Sequence, residues 1–424
     1  MTDDRTALAA EAFIYGAALD LDLREVRRFT REGMGSLPAA PFNAFAHASA
    51  LAGPADTFVS VNNDTMYSIA QVDVSGGPVR LDVPAADGRY YVLQFVDAWT
   101  NNFAYVGRRA TGTDAGSFLL VAPDWDGAED GTRVIRCPTT VASIVGRWAV
   151  DGDEDVPAVR ALQEQLRLTE TGGEGRGLPE VPDGDDAFFE RLWLYLDAFP
   201  PAERDREYQR RFDPLRALGA DELRAGLATG RQRMEAALES GVGSPVQNGW
   251  DLTYHVFDYN LDFFEVGALR DPLWMLEDTP ARYMVRTLAA RGGLWGNHGY
   301  EAAYAMSNVD AEGRLLVGTE RYELRFTTPP PVGAFWSVTM YDLPEYYLVA
   351  NPIDRYSIGD RTRGLRYEDD GSLTLVIQRE EPDDTSNWLP APEGRFRPIL
   401  RMYQPDAAVF DGSYVLPAIV RTRR

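Results

Sequence analysis

The sequence predicts a mainly β protein with an α-helical domain in its middle, and three observations carry that reading. Between Thr57 and about Val150, short runs rich in Val, Leu, Tyr and Phe are separated by Gly, Pro and Asp, with no helical period between them. From Asp155 the apolar spacing changes to that of helices. From about Ala303 alternation returns and continues to the last residues. The expected order is a β-sandwich, a helical domain, and a second all-β domain that is a sandwich or jelly roll.

The first stretch, residues 5 to 32, has apolar residues at helical spacing and reads as one or two helices, with a break expected near Gly16. It lacks a basic n-region and a small-residue cleavage site, so it reads as an amphipathic helix rather than a signal peptide. "TMYSIAQVDV", "PVRLDVP", "RYYVLQFVDAW", "SFLLVAP" and "RVIRCP" are the first set of strands. Asp155 then caps a helix whose first turn accepts Pro157. Residues 169–186, rich in Gly, Pro and acid, are the expected linker. Helical patterns follow at about 186–198, 202–212, 219–239 and 279–291. The aromatic segment 250–276 fits either a buried helix or part of a pocket wall. "RYELRFT", "AFWSVTMYD", "EYYLVAN", "SLTLVIQ", "FRPILRMYQ" and "YVLPAIV" supply the last strands, and Asp370-Gly371 signals a type-I′ hairpin. The expected boundaries are 1–50, 51–155, 156–300 and 301–424.

Composition removes whole classes of chemistry. All 42 basic side chains are arginine. Without lysine there is no internal aldimine with pyridoxal phosphate, no Schiff-base aldolase and no Walker A or kinase-type lysine. Cys137 is the one cysteine, which excludes an internal disulfide and a multi-thiolate zinc site. A net charge of −23 argues against nucleic acid and anionic membrane as partners. No apolar run reaches transmembrane length. A cytoplasmic protein is expected, with a small molecule as its partner and room for a homo-oligomer.

Several stretches together resemble the bacterial family of domain of unknown function 1254 followed by domain of unknown function 1214. The first half does so through "NNDTMYS", "GRYYVLQFVDAWTNNFAYVGRRATGTDAGSFLLVAPDW" and "GRWAVDGDEDVPAVRALQ". The second does so through "GNHGYEAAY", "DAEGRLLVG", "AFWSVTMYD", "YYLVANPIDRYSIGDR", "DGSLTLVIQ" and "NWLPAPEGRF". The resemblance implies an Ig-like β-sandwich, a helical domain and a C-terminal jelly roll. It implies no reaction.

Three clusters carry the candidate residues. Asn62, Asn63 and Asp64 stand in a row where a strand begins, with Tyr67 beyond them. Such side chains either shape a tight start to the strand or converge on a polar ligand or hard cation. Asp97, Trp99 and Asn101 form the second cluster. A carboxylate inside an apolar strand is costly unless paired, so Asp97 either meets Arg108 or Arg109 or lines a pocket with Trp99 and Asn101. The third is "NPIDRYSIGDR", where Arg355, Tyr356, Ser357 and Arg361 either clamp a carboxylate or phosphate or pin a long loop through Arg–Asp pairs. His298 and Glu301 have the i, i+3 spacing of a metal or proton-transfer pair, though a capping or surface histidine is the more ordinary reading. Convergence of His47, His255 and His298 on one metal is disfavoured, since they are scattered along the chain.

The expectation is an enzyme that acts on a small organic molecule by acid/base chemistry without an organic cofactor. Hydrolysis, elimination, isomerisation and cyclisation all suit this kit. Its pocket would lie between the two β domains and the helical domain. Asp64 or Asp97 would be acid or base, Tyr67 or Tyr356 a proton donor and Arg355 the anion clamp. Asn62, Asn63, Trp99, Asn101, Arg109, Ser357 and Arg361 would bind substrate. The alternatives are a non-catalytic carbohydrate or small-ligand binding protein, and a divalent-cation site on the Asn/Asp cluster.

Overall fold

A computed structural model describes residues 2–57, 59–128, 131–240, 244–259 and 281–422. The expected architecture is present: two β-sandwiches with helices between them in sequence. The first helix, α1 (Thr2–Glu32), runs without a break through Gly16. Glycine stands there for packing, since a Cβ would lie 2.4 Å from Leu192 Cδ1.

The first sandwich contains β1 (Ala44–His47), β2 (Thr65–Asp73), β3 (Val79–Val83), β4 (Tyr91–Asp97), β5 (Asn102–Gly107), β6 (Gly116–Val121), β7 (Arg133–Arg136), β8 (Val141–Ala149) and β9 (Arg167–Glu170). One sheet has the order β1-β2-β8-β4-β5 and the other β7-β6-β3-β9. This sandwich extends past both expected edges, taking β1 before residue 51 and β9 at the start of the predicted linker. Gly172 and Gly173 then pack against Gly76, with Gly173 N donating to the Gly76 carbonyl at 2.7 Å. Only glycines allow backbones so close, so the glycine-rich stretch is a packed strap.

The helical layer follows with α2 (Val156–Gln163), α3 (Phe188–Ala198), α4 (Arg206–Arg210), α5 (Ala220–Ser240) and α6 (Ala281–Gly293). The expected aromatic segment begins with a short strand at Trp250–Leu252, and most of it lies outside the described residues.

The second sandwich contains β10 (Val246–Gln247), β11 (Trp250–Leu252), β12 (Ala302–Ser307), β13 (Arg321–Phe326), β14 (Val332–Asp342), β15 (Ser357–Gly359), β16 (Leu373–Gln378), β17 (Trp388–Pro390), β18 (Phe396–Pro405) and β19 (Ile419–Thr422), with a short helix α7 (Ala407–Phe410). Its sheets run β10-β11-β12-β18-β14-β15 and β17-β16-β13-β19. Asp370-Gly371 does make a tight turn, with Gly371 at φ +80° and Glu368 N bonded to Ser372 O at 2.8 Å. It does not join two neighbouring strands, because β15 and β16 belong to different sheets.

Two alternations position the site. In β2 and β8, Met66, Ala70, Ile144 and Trp148 face the sandwich core, while Ile69 and Val145 face the helices. The sheet is therefore covered on both faces. In β14 and β18, Trp336, Val338, Leu400 and Met402 fill the second core. Their neighbours in sequence point the other way: Ser337 and Tyr403 meet Asp64, and Arg401, bonded to Thr339, meets the Ser60 carbonyl just before β2. Among the described residues no helix is long and apolar enough to cross a membrane.

Helices α1 and α5 cross where glycine removes the side chain. A Cβ on Gly226 would lie 2.2 Å from Ala9 Cβ, and one on Gly230 would lie 2.7 Å from Phe13 Cδ1. Ala9 has no flexible end to move aside. Gly226→Ala is therefore expected to lower unfolding free energy by about 1–3 kcal/mol despite alanine's better helix propensity. Urea denaturation midpoints of the two proteins measure it.

Candidate functional site

The opening triplet is a strand cap, and the cap aims a hydroxyl. Asn62 Oδ1 accepts the backbone N–H groups of Asp64 (2.9 Å) and Thr65 (3.0 Å) and the Thr65 hydroxyl (3.0 Å). Those donors fix which end of the amide is oxygen. The amide nitrogen then donates to the Tyr67 hydroxyl oxygen. Tyr67 is thus an acceptor in that bond, and its own proton remains to be given away. Among the described residues none takes it.

Directly across from Tyr67 in the β2–β8 register stands Arg147. Its guanidinium carbon lies 5.5 Å from the Tyr67 ring centre. The side chain donates to Gln94 Oε1 (2.6 Å), the Trp295 carbonyl (2.8 Å) and Asn297 Oδ1 (3.3 Å). Arg147 is only 7% exposed. Buried arginines here fall into two kinds: Arg191 binds Asp20 through Nε at 2.6 Å and Arg282 binds Asp205, whereas Arg286 donates to the Tyr15 carbonyl (2.9 Å) and Arg401 to Thr339 Oγ1 (2.9 Å) and the Ser60 carbonyl (2.7 Å). Among the described residues no carboxylate forms an ion pair with Arg147. A buried cation held only by neutral acceptors is costly, and an anion beside it relieves the cost.

Tyr67 and Arg147 form part of the wall of a cavity of about 60 Å³. Met34, Leu37, Ile69, Val145, Leu294 and Trp295 give it an apolar lining, and Asp56 places a carboxylate on the same wall. Residues 294–300 cross this face of the sheet as a strap. Gly296 O accepts from Gln94 (2.7 Å) and Asn102 (3.2 Å), and His298 N donates to the Tyr105 hydroxyl (2.9 Å). Trp295 adopts φ +62°, a left-handed backbone, while its indole N–H donates to Asp22 Oδ1 at 2.7 Å. Burial pushes the Asp22 carboxyl well above its ordinary range. Asn297 Nδ2 is buried there with no partner among the described residues.

The structure brings part of the first and third clusters together. Ser337 donates to Asp64 Oδ2 at 2.6 Å, and the Tyr403 hydroxyl lies 3.4 Å from the same oxygen. Arg361 donates to the Asp64 carbonyl (2.9 Å), and Ser357 lies 3.5 Å from Asn63 Oδ1. Asn63 also donates to Ala52 O at 2.5 Å. Asn62 Oδ1 and Asp64 Oδ2 are thus engaged by protein donors. Among the described residues no group of three or more His, Cys, Asp or Glu is placed to hold a metal ion.

The other candidates lie elsewhere. Asp97 is paired neither with Arg108 nor with Arg109. It caps its own turn, accepting from Trp99 N (2.9 Å), Asn101 N (2.9 Å) and Asn101 Nδ2 (2.9 Å). Burial still raises its carboxyl to about 6. Trp99 is packed in the helical core, its indole bonded to Phe199 O at 3.0 Å. Arg109 holds the Tyr300 carbonyl (2.5 Å) and stacks on that ring, tying the sandwiches together. Arg355 is no free clamp: it donates to the Thr385 (2.6 Å), Ser386 (3.3 Å) and Trp388 (2.9 Å) carbonyls and pins its loop. Tyr356 donates to Asp354 at 3.0 Å beside it. Arg361 lies over Phe335, 3.6 Å from the ring centre, on an open groove of about 590 Å³ at the seam between the sandwiches. That groove's cations are largely matched, Arg89 by Asp155 (2.5 Å) and Arg361 by Asp151 (3.4 Å).

Arg147, Asp56, Trp295 and Asn297 were not among the residues singled out from the sequence. Arg147 did leave a signal, as the one charge inside the apolar run "VASIVGRWAV". Glu301 is a buried group near the seam. It accepts from the Tyr90 hydroxyl at 2.7 Å, and burial raises its carboxyl to about 7. His298 is fully buried, and burial lowers the pKa of its imidazole. Its Nδ1 lies 2.9 Å from Tyr300 N and 3.3 Å from Asp258 Oδ1.

Residues 42–170 match the family model described as "Protein of unknown function (DUF1254)", and residues 301–407 match "Protein of unknown function (DUF1214)". The crystal structure of the VPA0106 protein from Vibrio parahaemolyticus is similar at 24% identity and a TM-score of 0.73, over 99% of this chain and 100% of that one. A putative uncharacterized protein from Burkholderia cenocepacia matches at 11% identity and a TM-score of 0.48, over 100% of this chain and 95% of that one. No curated protein matches the chain. The Vibrio structure supports the fold alone.

Glu301 gives a stability test of the buried seam. Its carboxyl rises from an ordinary 4.5 to about 7, so in that window the folded chain binds more protons than the unfolded chain. Stability therefore falls as pH rises through the window, by about 3 kcal/mol in all for this group. Glu301→Gln mimics the neutral acid and is expected to flatten that slope, gaining most above pH ~7. Chemical denaturation from pH ~5 to ~8 measures both proteins.

Proposed function

The chain belongs to the family of DUF1254 followed by DUF1214, and we propose that it is an enzyme moving a proton on a small organic molecule held at Tyr67 and Arg147, without an organic cofactor. The observation that carries this reading is that, among the described residues, Arg147 is buried without an ion-paired carboxylate beside a tyrosine whose hydroxyl proton has no acceptor, on the wall of one cavity. Such a pair of donors suits a substrate oxygen that gains negative charge during reaction.

The roles follow from the groups present. Arg147 anchors the substrate oxygen and stabilises charge on it. Tyr67, held by Asn62 with its proton outward, donates to that oxygen. Asp56, the carboxylate on the same wall, takes a proton from the neighbouring atom. Isomerisation and elimination next to a carbonyl use this set of parts. Arg147 thereby takes the anchoring role expected of Arg355. The largely apolar lining favours this over carbohydrate binding, which needs many more polar contacts. We place the activity in the cytoplasm, where the single buried thiol of Cys137 stays reduced.

Hydrogen–deuterium exchange into small carbonyl compounds in heavy water, read by mass spectrometry, tests the reading without knowledge of the product. Tyr67→Phe and Asp56→Asn are each expected to lower the exchange rate by about 10²-fold or more. Wild-type rates in both variants would remove these residues from the chemistry.

A further inference from the structure

The donors left over on Arg147 say what kind of molecule the cavity takes, and we infer that its ligands are short aliphatic monocarboxylates. This rests on the proposed site and deepens it. A guanidinium has five N–H groups. Arg147 uses two on Nη1, for Gln94 and Asn297, and one on Nη2, for the Trp295 carbonyl. That leaves Nε–H and one Nη2–H without a partner among the described residues. Nε and Nη2 are the two atoms through which Arg191 grips Asp20 in this same protein, at 2.6 and 3.1 Å. The unspent side of Arg147 is thus the side that matches a carboxylate two bonds at a time.

Charge and size narrow the class. One guanidinium is available, and Asp56 on the same wall repels a second negative charge, so a monoanion fits better than a dicarboxylate or phosphate. The Tyr67 hydroxyl supplies a further donor to the carboxylate, or to an oxygen next to it. Beyond these polar groups the lining is mainly Leu37, Ile69, Val145, Leu294 and Trp295, which demands an apolar body. The cavity is small, about 60 Å³, which favours a short acid over a long one.

Calorimetric titration of the full-length protein with butyrate tests this, with butyramide, succinate and inorganic phosphate as comparisons at matched ionic strength. Saturable butyrate binding is expected, at least 10-fold tighter than any of the other three. Arg147→Gln should abolish it. Should that variant fail to fold, Tyr67→Phe, which keeps the ring, should weaken butyrate by about 5- to 10-fold for one lost hydrogen bond. Butyramide binding as tightly as butyrate would overturn the acid class while leaving a small-molecule cavity in place. Absence of binding by all four would overturn the inference, and the deuterium-exchange experiment would then decide separately whether the proposed chemistry survives. Butyrate binding unchanged in Arg147→Gln or in Tyr67→Phe would place the acid elsewhere and overturn it as well.

Discussion

One buried charge organises the centre of this molecule. Arg147 sits in the middle strands of a sheet covered on both faces, where an unpaired guanidinium costs several kcal/mol unless every N–H finds an acceptor. Three of its donors are satisfied by groups that must be brought to it: Gln94 from β4, and the Trp295 carbonyl and Asn297 side chain from the strap after α6. Meeting that demand fixes the strap at residues 294–300 across the sheet. The strap in turn leads directly into β12 of the second sandwich. The left-handed backbone at Trp295 and the short approach at Gly296, where a Cβ would lie 2.0 Å from the Phe257 ring, are consequences of threading the chain through that position.

The same constraint links the two β units to the site. The second sandwich turns Ser337, Arg401 and Tyr403 toward the first, and they close on Asp64 and the Ser60 carbonyl at the foot of β2. Asn62 stands between, capping the strand and holding Tyr67. Fold and candidate chemistry therefore share residues. The network that docks one domain on the other also sets which hydroxyl carries a free proton. A substrate oxygen would enter a layer already polarised by the protein's own packing, which is how preorganised donors act without reorganising.

Much of the architecture was legible because period alone reports it. The alternation in "SLTLVIQ" and "RYELRFT" gave strands, and the helical stretches of the middle domain fell close to their observed positions. The site was legible only in part, and the reason lies in where each polar residue finds partners. Asp97 and Arg147 both interrupt apolar strands and look alike on paper. Asp97 is satisfied by groups two and four residues away, whereas Arg147 reaches 53 to 150 residues along the chain. Local satisfaction makes a turn, and distant satisfaction makes a seam between elements. Arg355 misled for the same reason, since the backbone carbonyls that occupy it lie about thirty residues away and leave no mark in composition. Tyr67 was identifiable because its capping partner Asn62 lies beside it in sequence. Asp56 was not: its Oδ2 caps a local turn, accepting from Gly53 N at 2.9 Å, and nothing in that turn marks the cavity beside it.

The central claim is that the Arg147–Tyr67 cavity accepts an anionic oxygen with an apolar body behind it. Crystals of the protein soaked in a brominated short-chain carboxylate would test it most directly through the anomalous signal of bromine. The account predicts one peak between Ile69, Val145 and Leu294, with carboxylate density against Nε and Nη2 of Arg147. A bromine at the groove beside Phe335 and Arg361 with nothing in the cavity, or a carboxylate turned away from Arg147, would contradict it.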